Sequence, residues 1–522
     1  MKKRLFLLTA LIVSVSMILA ACGSAATPAP TTAPAATSAP VATTAAPAAT
    51  NTPAATAAPT AVPPTPTLTP FPVAACQSGK TCIRWFVGLG TGTSANQIPQ
   101  QQAVVDAYNA SQSAVQLILE VVPNASSTDV LSTEIASGNG PDIVGPVGFA
   151  GSNAFHGQWL DLTQYIAKTD TSDFNPALVK MFISGEGDLG LPFAVYPSAI
   201  IYNKTIFDSA GYSYPPAKYG QQYKMPDGTM VDWNWDTVAK VAEALTTDKS
   251  GNNATSATFD KTNIVNYGFT WGFENSVNYV GSFWQSGSLV GADGKTAQLP
   301  DGWKAAWQWT YNGIWGPQPY IPNGNYESSL NNGGNAFDGG HVAMIDAPIW
   351  YTCCLSHVTS DGTTTGKPTW DIGIMPTYNG KVGGRIDADT FRILKGSKNP
   401  QAAYDAMLYL ETQGVQQLVV GSASAPSAYG AFPARTSQQA AWLAAKQQQF
   451  PGVQNWQTYI DGLGYPDVPS AEAYMPNFNK SFADTRTFYS LILNGQNNAS
   501  FDLNAAEQSF LSTMQSDFNA QQ

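Results

Sequence analysis

The chain has 522 residues and a formal net charge of −11, with 43% hydrophobic and only 12% charged residues. An acidic balance of this size argues against a nucleic-acid partner, because such partners are bound through basic patches. The 14 Trp and 22 Tyr, set among so few charges, suit a protein that stacks on neutral polar ligands.

The N-terminus predicts export. Basic residues at positions 2–4 precede an apolar stretch from Leu5 to Leu19. This stretch is too short to stay in a bilayer as a spanning helix and is typical of a secretory signal. Leu19-Ala20-Ala21-Cys22 resembles the bacterial lipobox. The resemblance implies that residues 1–21 are removed and that a lipid on Cys22 holds the protein to the outer face of the cell membrane, on the extracellular or periplasmic side.

Residues 22–75 predict a disordered stalk. They are rich in Ala, Thr and Pro, and no charged residue occurs between Cys22 and Gly79. Such a segment has no large side chains to bury, so it cannot offset the entropy of ordering, and its prolines favour an extended spacer. Roughly 450 residues follow, too many for one hydrophobic core, which indicates two lobes.

Strands and helices alternate after the stalk. A strand is predicted at Thr81–Val87, followed by a helix at 101–108, a strand at 115–122, a helix at 130–136 and a strand at 142–144. This order indicates an α/β fold with a mainly parallel sheet. Ligands bind such sheets at the carboxyl ends of the strands. Thr91, Gly92 and Thr93, after the first strand, and the loop 145–149, after the third, are therefore candidate ligand-binding segments.

Four further cysteines fit an exported protein, where disulfides persist. Cys76 and Cys82 are six positions apart, and the favoured pairing joins them. Cys353 and Cys354 are adjacent and form either a vicinal disulfide or two thiols. A zinc site needs Cys and His at ligand spacing, and of the three His only His357 lies near a cysteine pair, so no metal site is predicted.

A central segment carries a family resemblance. Gly190-Leu191-Pro192-Phe193-Ala194-Val195-Tyr196, followed by Ile200-Ile201-Tyr202-Asn203-Lys204, resembles the crossover of extracellular solute-binding proteins of the maltose-binding type (family 1). Further segments fall in the family's order across about 400 residues. They are Gly140–Val144, Trp159–Thr163, Trp235–Val238, Phe337–Met344, Pro348–Trp350 and Lys398–Ala403.

The resemblance implies a two-lobe periplasmic-binding-protein-like α/β fold of type II, with a discontinuous chain path. Residues 76–195 would start lobe 1, 196–380 build lobe 2, 381–428 return to lobe 1, and 429–522 form C-terminal helices of lobe 2. The implied function is capture of a mono- or oligosaccharide between the lobes by a monomer. Delivery to the permease subunits of an ABC importer would follow, with no cofactor.

The resemblance and the residues together suggest a ligand-binding set. Trp350 would stack on a sugar ring, with Asp346 four residues before it. Trp271, Glu274 and Asn275 would present aromatic and polar groups from lobe 2, whereas Trp284 is expected in the core. Strand alternation places Arg385, Asp387 and Asp389 on one face. Tyr196 lies at the crossover.

Catalytic motifs are missing from the sequence. No Gly-x-Ser-x-Gly or His-Glu-x-x-His occurs, and Gly362–Lys367 is one residue short of a phosphate-binding loop. The expected protein is therefore not an enzyme. A secreted glycoside hydrolase stays open, because any two carboxylates could lie at catalytic separation. A polyamine or other cationic solute also stays open, since Asp346, Asp387 and Asp389 beside Trp350 would suit it.

Overall fold

A computed structural model describes residues 73–272, 277–324, 336–363, 366–421, 427–467, 472–494 and 501–520, with only the backbone described at 277–279 and 353. These residues belong to a unit that runs from Leu68 to Gln522. The predicted signal peptide, Cys22 and nearly all of the stalk lie outside the described residues, as do Glu274 and Asn275.

Sixteen strands occur in the described part of the chain. They are β1 (Thr81–Val87), β2 (Val115–Val121), β3 (Ile143–Val147), β4 (Ile183–Ser184), β5 (Gly187–Asp188), β6 (Pro192–Asn203), β7 (Tyr223–Lys224), β8 (Met230–Val231), β9 (Thr247–Asp248), β10 (Ile264–Trp271), β11 (Val342–Pro348), β12 (Trp370–Gly373), β13 (Thr377–Tyr378), β14 (Lys381–Val382), β15 (Ile386–Ile393) and β16 (Phe432–Pro433).

The described α-helices are α1 (Ile98–Ser111), α2 (Asn124–Ala136), α3 (Phe149–Asn153), α4 (Thr163–Ile166), α5 (Pro176–Val179), α6 (Lys204–Ala210), α7 (Trp235–Leu245), α8 (Val277–Ser282), α9 (Asp301–Trp315), α10 (Pro400–Tyr409), α11 (Thr436–Gln449), α12 (Gln457–Gly462), α13 (Phe478–Asn494) and α14 (Leu503–Ala520). A 3₁₀ helix spans Ile349–Cys354, and π-helical segments span Leu410–Gly414 and Gln416–Val420.

One mixed sheet runs through the molecule in the order β2-β1-β3-β15-β6-β11-β10-β9, and β12 and β16 also pair with β6. Strand β1 is parallel to β2 and β3, and β10 is parallel to β11. The α/β prediction is confirmed, as are the predicted strands and helices near the N-terminus, whereas the sheet is mixed and not mainly parallel, because every ladder of β6 and β15 is antiparallel. Helix α1 begins earlier than predicted, at Ile98, because Pro99 is well suited to the first turn of a helix.

Strand β6 connects the two halves of the sheet. Its first half pairs with β15 and β16, whereas its second half pairs with β11 and β12. All twelve of its residues are buried, which explains its nearly continuous apolar sequence. We call the half containing β1–β3 and β15 lobe 1, and the half containing β9–β12 lobe 2. The crossover that the sequence places near Tyr196 therefore falls on a central strand.

The core of lobe 1 lies on both faces of its sheet. Trp85 and Val87 point to the large cluster under α1 and α10, whereas Phe86 between them joins Val144 and Trp159 on the opposite face. This alternation follows from the period of a strand. Burial of each such side chain contributes about 1.5–3 kcal/mol to the free energy of unfolding.

The core of lobe 2 is built from indole rings. Trp235 stacks on Trp284 with ring centroids 4.3 Å apart, and Trp309 meets Trp235 edge to face at 5.2 Å. The Asn234 side chain caps α7 by accepting a hydrogen bond from the Thr237 amide, which fixes the position of the adjacent Trp235. The expectation that Trp284 belongs to the core is confirmed, since 2% of it is exposed.

The residues that follow position 429 pack on lobe 1 before the chain reaches lobe 2. Strand β16 pairs with Val195 and Ala194 in the lobe 1 half of β6, and α11 packs against the segment Gln416–Val420. These contacts attach residues 432–449 to lobe 1, whereas the sequence analysis assigned them to lobe 2. Helices α13 and α14 do pack in the lobe 2 core.

Candidate ligand cleft

A cavity of about 620 Å³ opens beside β6, where the two lobes meet. Both lobes contribute to its wall, together with loops that follow β1 and β3. The described residues that line it are Leu89, Gly90, Thr91, Gln97, Gly148, Phe149, Ala150, Gly151, Tyr196, Trp350, Arg385, Asp387, Ala388, Asp389, Ala428, Gly430 and Glu472.

Loops at the carboxyl ends of β1 and β3 form one side of the cavity, as the parallel arrangement of these strands predicts. Gln97 braces the first loop. Its Oε1 accepts hydrogen bonds from the amides of Gly92 and Ser94, while its Nε2 donates to Thr91 Oγ1 and to the Ala428 carbonyl oxygen. The Gln97 side chain therefore joins this loop to the adjacent segment 428–430, which also lines the cavity.

Strand β15 provides the charged side of the cavity. Asp387 and Asp389 alternate along it and Arg385 immediately precedes it, and all three line the same space, as the predicted alternation requires. An ion pair of 2.6 Å joins Arg385 Nη2 to Asp387 Oδ1, and Glu472 Oε1 lies 4.0 Å from the same nitrogen. Because the guanidinium is only 4% exposed, these carboxylates offset much of the cost of its burial.

Tyr196 and Asp389 form a hydrogen bond within the wall. Asp387 lies opposite Tyr196 in the β15–β6 ladder, and Asp389 is the next residue on that face. The Tyr196 hydroxyl donates to Asp389 Oδ2 at 3.0 Å. Burial, with the neighbouring charge of Glu472, raises the pKa of Asp389 to about 6, although the bond from Tyr196 opposes the shift. Burial and the Asp389 charge raise the pKa of Tyr196 well above its ordinary value, so its hydroxyl remains a donor.

Trp350 is the aromatic group contributed by lobe 2. It lies in the 3₁₀ helix that begins where β11 ends, and its half-buried side chain lines the cavity. Its ring packs edge to face against that of the buried Tyr351, with centroids 6.3 Å apart. The ring is therefore supported on one side and borders the cavity on another.

Two predicted ligand-binding residues do not line the cavity. Trp271 is 3% exposed and packs in the lobe 2 core, parallel to the Phe283 ring at 5.8 Å, with its indole N–H donating to Thr310 Oγ1. Asp346 lies inside β11 with none of its surface exposed, between Trp271 and Ile200 in the neighbouring strands. Both predictions were wrong in placement, because these side chains belong to buried central strands and not to the loops that end them.

The other predicted residues fall into three groups. Tyr196, Trp350, Arg385, Asp387, Asp389 and Thr91 line the cavity, whereas Gly92 and Thr93 lie just beyond it in the same loop. Glu274 and Asn275 lie outside the described residues. The structure joins Cys76 to Cys82 by a disulfide, the pairing expected. The Cys353 side chain is not described, so both alternatives for Cys353 and Cys354, a vicinal disulfide or two thiols, stay open.

Sequence reasoning missed Gln97 and Glu472. Gln97 precedes a helix whose apolar pattern gave no sign of the loop it contacts, and Glu472 lies in a loop without periodicity. Phe149, two residues after the end of β3, belongs to the segment 145–149 that the sequence did identify as a candidate. The position of Phe149 near the carboxyl end of a parallel strand was thus the signal that predicted this part of the cavity wall.

Among the described residues that line the cavity are one guanidinium, from Arg385, and three carboxylates, from Asp387, Asp389 and Glu472. Such a wall can accept hydrogen bonds from hydroxyl or ammonium groups and repels anions.

Within the described ranges, no group of three or more His, Cys, Asp or Glu side chains is arranged to hold a metal ion. In the same part of the chain, every helix is too short or too polar to cross a bilayer.

Comparisons with known proteins agree with this geometry. The family model described as bacterial extracellular solute-binding protein matches residues 94–417. A search of curated proteins finds no significant match. Among solved structures, UspC of Mycobacterium tuberculosis is 18% identical with a TM-score of 0.59, and the alignment covers 84% of this chain and 100% of that one.

Two further structures share the fold. The sugar-binding protein MalE of Xanthomonas citri is 16% identical with a TM-score of 0.58, over 84% of this chain and 98% of that one. The substrate-binding protein Lmo0181 of Listeria monocytogenes, solved with cycloalternan, is 18% identical with a TM-score of 0.57, over the same shares. Since the family model matches well over half of the residues, the chain belongs to the bacterial extracellular solute-binding proteins.

Proposed function

We propose that this protein captures a neutral mono- or oligosaccharide in the cavity between its lobes. The observation that carries the proposal is the pairing of an aromatic face, Trp350, with the polar groups of Tyr196, Arg385, Asp387 and Asp389 around one space of about 620 Å³. A pyranose has an apolar C–H face and a hydroxyl edge. Stacking on Trp350 removes the C–H face from water. The carboxylates and the guanidinium group form hydrogen bonds with the hydroxyl groups.

The polar wall is built for selective binding. The ion pair between Arg385 and Asp387 and the bond between Tyr196 and Asp389 hold these side chains in place before ligand arrives. Preorganisation of this kind lowers the entropy lost on binding. The relatives support the ligand class, since one is described as a sugar-binding protein and another was solved with cycloalternan.

We further propose that the protein acts as a lipid-anchored monomer that performs no catalysis and delivers its ligand to ABC permease subunits. The basic and apolar N-terminus ending in Cys22 supports the anchor, and the Ala/Thr/Pro-rich stalk supports a spacer between the lipid and the lobes. Cys22→Ser should release the protein from membranes or leave the signal uncleaved. Membrane fractionation with an unchanged mature N-terminus would contradict the anchor.

A cationic solute such as a polyamine is the second candidate. The observation in its favour is the excess of three cavity carboxylates over one guanidinium, beside the ring of Trp350. An ammonium group over an indole face gains a cation–π interaction of about 0.5–2 kcal/mol. The two candidates differ in salt dependence, because only the cation binds through net charge.

A thermal-shift screen of the full-length protein, in a detergent without a sugar headgroup, separates these readings. Maltotriose, cycloalternan and other neutral saccharides would be compared with putrescine and spermidine. A ligand at 100 times its Kd adds about 2.7 kcal/mol to the free energy of unfolding. Stabilisation by a saccharide supports the proposal, and stabilisation by polyamines alone replaces it. Hydrolysis of the saccharide in the same sample would favour a glycoside hydrolase.

A further inference from the structure

A second cavity, of about 530 Å³, lies in lobe 2 and shares no residue with the interlobe cavity. Its wall comes from the start of α7, one face of α9, Trp284 and the hairpin β13–β14. The described residues that line it are Asp232, Asn234, Trp235, Asp236, Trp284, Ala305, Gln308, Trp309, Asn312, Thr377, Tyr378, Asn379 and Gly380.

Aromatic rings form the floor of this cavity. Trp309 and Tyr378 are half-buried, and both pack against the buried Trp284, with centroids 5.6 Å and 6.3 Å away. The indole N–H of Trp309 donates to the Trp235 carbonyl oxygen at 3.0 Å, which fixes the tilt of the ring. Two half-buried aromatic side chains therefore line this cavity, and the ring of Trp309 is fixed by its hydrogen bond.

Amides and carboxylates form the rim. Gln308 and Asn312 are exposed on one face of α9, four residues apart, and Gln308 Nε2 donates to Asn312 Oδ1 at 2.8 Å. Asn379 stands on the opposite side, in a two-residue turn where it and Gly380 both have positive φ, as this tight hairpin turn requires. Among the described residues of the lining, none is Lys or Arg.

This composition selects a neutral hydroxylated ligand over an ion. The missing cation disfavours anions. A cation would need only acceptors, whereas the side chains of Gln308, Asn312 and Asn379 offer donors as well as acceptors, which match hydroxyl groups. The two carboxylates among the described lining residues, Asp232 and Asp236, are both exposed, so water and salt screen their attraction for a cation. Asp232 also accepts a hydrogen bond of 3.1 Å from Gln222 Nε2.

We propose that the lobe 2 cavity is a second carbohydrate-binding site, which takes a pyranose unit of a neutral saccharide over Trp309 and Tyr378 with its hydroxyls on the amide rim. The site is separate from the interlobe cavity. This proposal therefore holds whether or not the interlobe cavity binds a sugar, and if it does, the protein binds saccharide at two places.

The test uses full-length protein in a detergent without a sugar headgroup, carrying Trp350→Ala to weaken the interlobe site. Saturation-transfer NMR and calorimetry would be run with maltotriose, cellotriose, mannotriose and spermidine. Binding of at least one trisaccharide is expected to persist in this background. Gln308→Ala with Asn312→Ala should then weaken it about fivefold or more, since two hydrogen-bonding side chains are lost.

Gln447→Ala with Gln448→Ala is the matched control, because these glutamines are exposed on α11 and line neither cavity. Ala305→Arg, which would place a long side chain across the lobe 2 cavity, is a second way of blocking it if the double variant melts at a much lower temperature. The proposal is overturned if no trisaccharide binds in the Trp350→Ala background. It is also overturned if both blocking changes leave the affinity unaltered, or if only spermidine binds. If Trp350→Ala leaves trisaccharide binding unchanged while Gln308→Ala with Asn312→Ala abolishes it, the proposed function of the interlobe cavity is contradicted and the present proposal is supported.

Discussion

At the scale of single residues, the interlobe cavity combines the apolar ring of Trp350 with the carboxylate of Asp389, whose negative charge is costly to bury. Trp350 reaches the cavity from lobe 2, and Asp389 reaches it from lobe 1. Trp350 and Asp389 are both half-buried, and Trp350 packs against the edge of the large core cluster without being fully buried in it. Substitutions at these two positions should therefore change binding more than folding.

Trp350→Ala is expected to weaken ligand binding by about 2 kcal/mol or more, as for other aromatic anchors of binding sites. A core Trp would instead cost about 3–5 kcal/mol of stability. Calorimetric affinity and melting temperature, measured on the same preparation, distinguish the two roles. Retained affinity with a large loss of stability would assign Trp350 to the core.

Asp389→Asn should raise stability at neutral pH while weakening the binding of ligand. The pKa of Asp389 is raised to about 6 in the folded protein, so the folded state binds its proton more tightly than the unfolded state. Its contribution to stability is then greatest below pH 4 and is lost as pH rises through about 6. Relative to the Asn variant, the wild-type protein should lose on the order of 2 kcal/mol between pH 4 and pH 7.

Urea unfolding of both proteins across this pH range checks the sign. Asp387→Asn is the comparison, since its carboxylate is paired with Arg385 at 2.6 Å. A stability difference between the wild-type protein and Asp389→Asn that stays constant from pH 4 to pH 7 would show that Asp389 does not titrate in this range.

At the scale of elements, the segment that leads from β14 into β15 sets the position of the charged wall. Gly383 and Gly384 precede Arg385, and each packs against backbone. A Cβ at Gly383 would lie 2.5 Å from the Phe283 carbonyl oxygen, and one at Gly384 would lie 2.8 Å from that of Tyr465. Only glycine allows so close an approach, so the pair holds this segment against lobe 2.

Gly383→Ala is therefore expected to destabilise the protein by about 1–3 kcal/mol, since the contact is with backbone that cannot rotate away. It should also weaken ligand binding, because Arg385 is displaced. Gly396→Ala is the control, with open space around the added Cβ. Chemical denaturation and affinity would be measured for both, and equal effects of the two changes would contradict a close-packed role for Gly383.

The sequence predicted those parts of the site that follow from strand periodicity. Arg385, Asp387 and Asp389 share a face because alternate residues of any strand do, and the loops after β1 and β3 share an edge because the strands are parallel. Trp271 and Asp346 could not be placed this way, since their burial depends on how α9 and the neighbouring strands cover them. Glu472 was missed because a loop has no period, and only tertiary packing brings it near Arg385.

At the scale of the whole molecule, the lobes also touch away from β6. Asn153 Nδ2 of lobe 1 donates to the Glu472 carbonyl oxygen at 2.6 Å. Nearby, the His156 ring stacks on that of Tyr474 at 3.7 Å, while His156 Nδ1 lies 2.8 Å from Glu186 Oε2. Tyr474 packs on the lobe 2 core, so these contacts join the two lobes close to Glu472, which lines the cavity.

Such contacts would be made and broken if the lobes open and close about β6 and β15. A ligand that touches both lobes favours the closed state, because it binds that state more tightly than the open one.

Hydrogen exchange of the full-length protein should therefore slow with ligand in segments from both lobes, at 88–91, 148–151 and 472–475. Helix α11, which lines neither cavity, should exchange as before, and His156→Ala should reduce the protection at 472–475. Trp350→Ala at the same ligand concentration should show no protection. Slower exchange in lobe 1 segments only would mean that the ligand binds one lobe without closing the molecule.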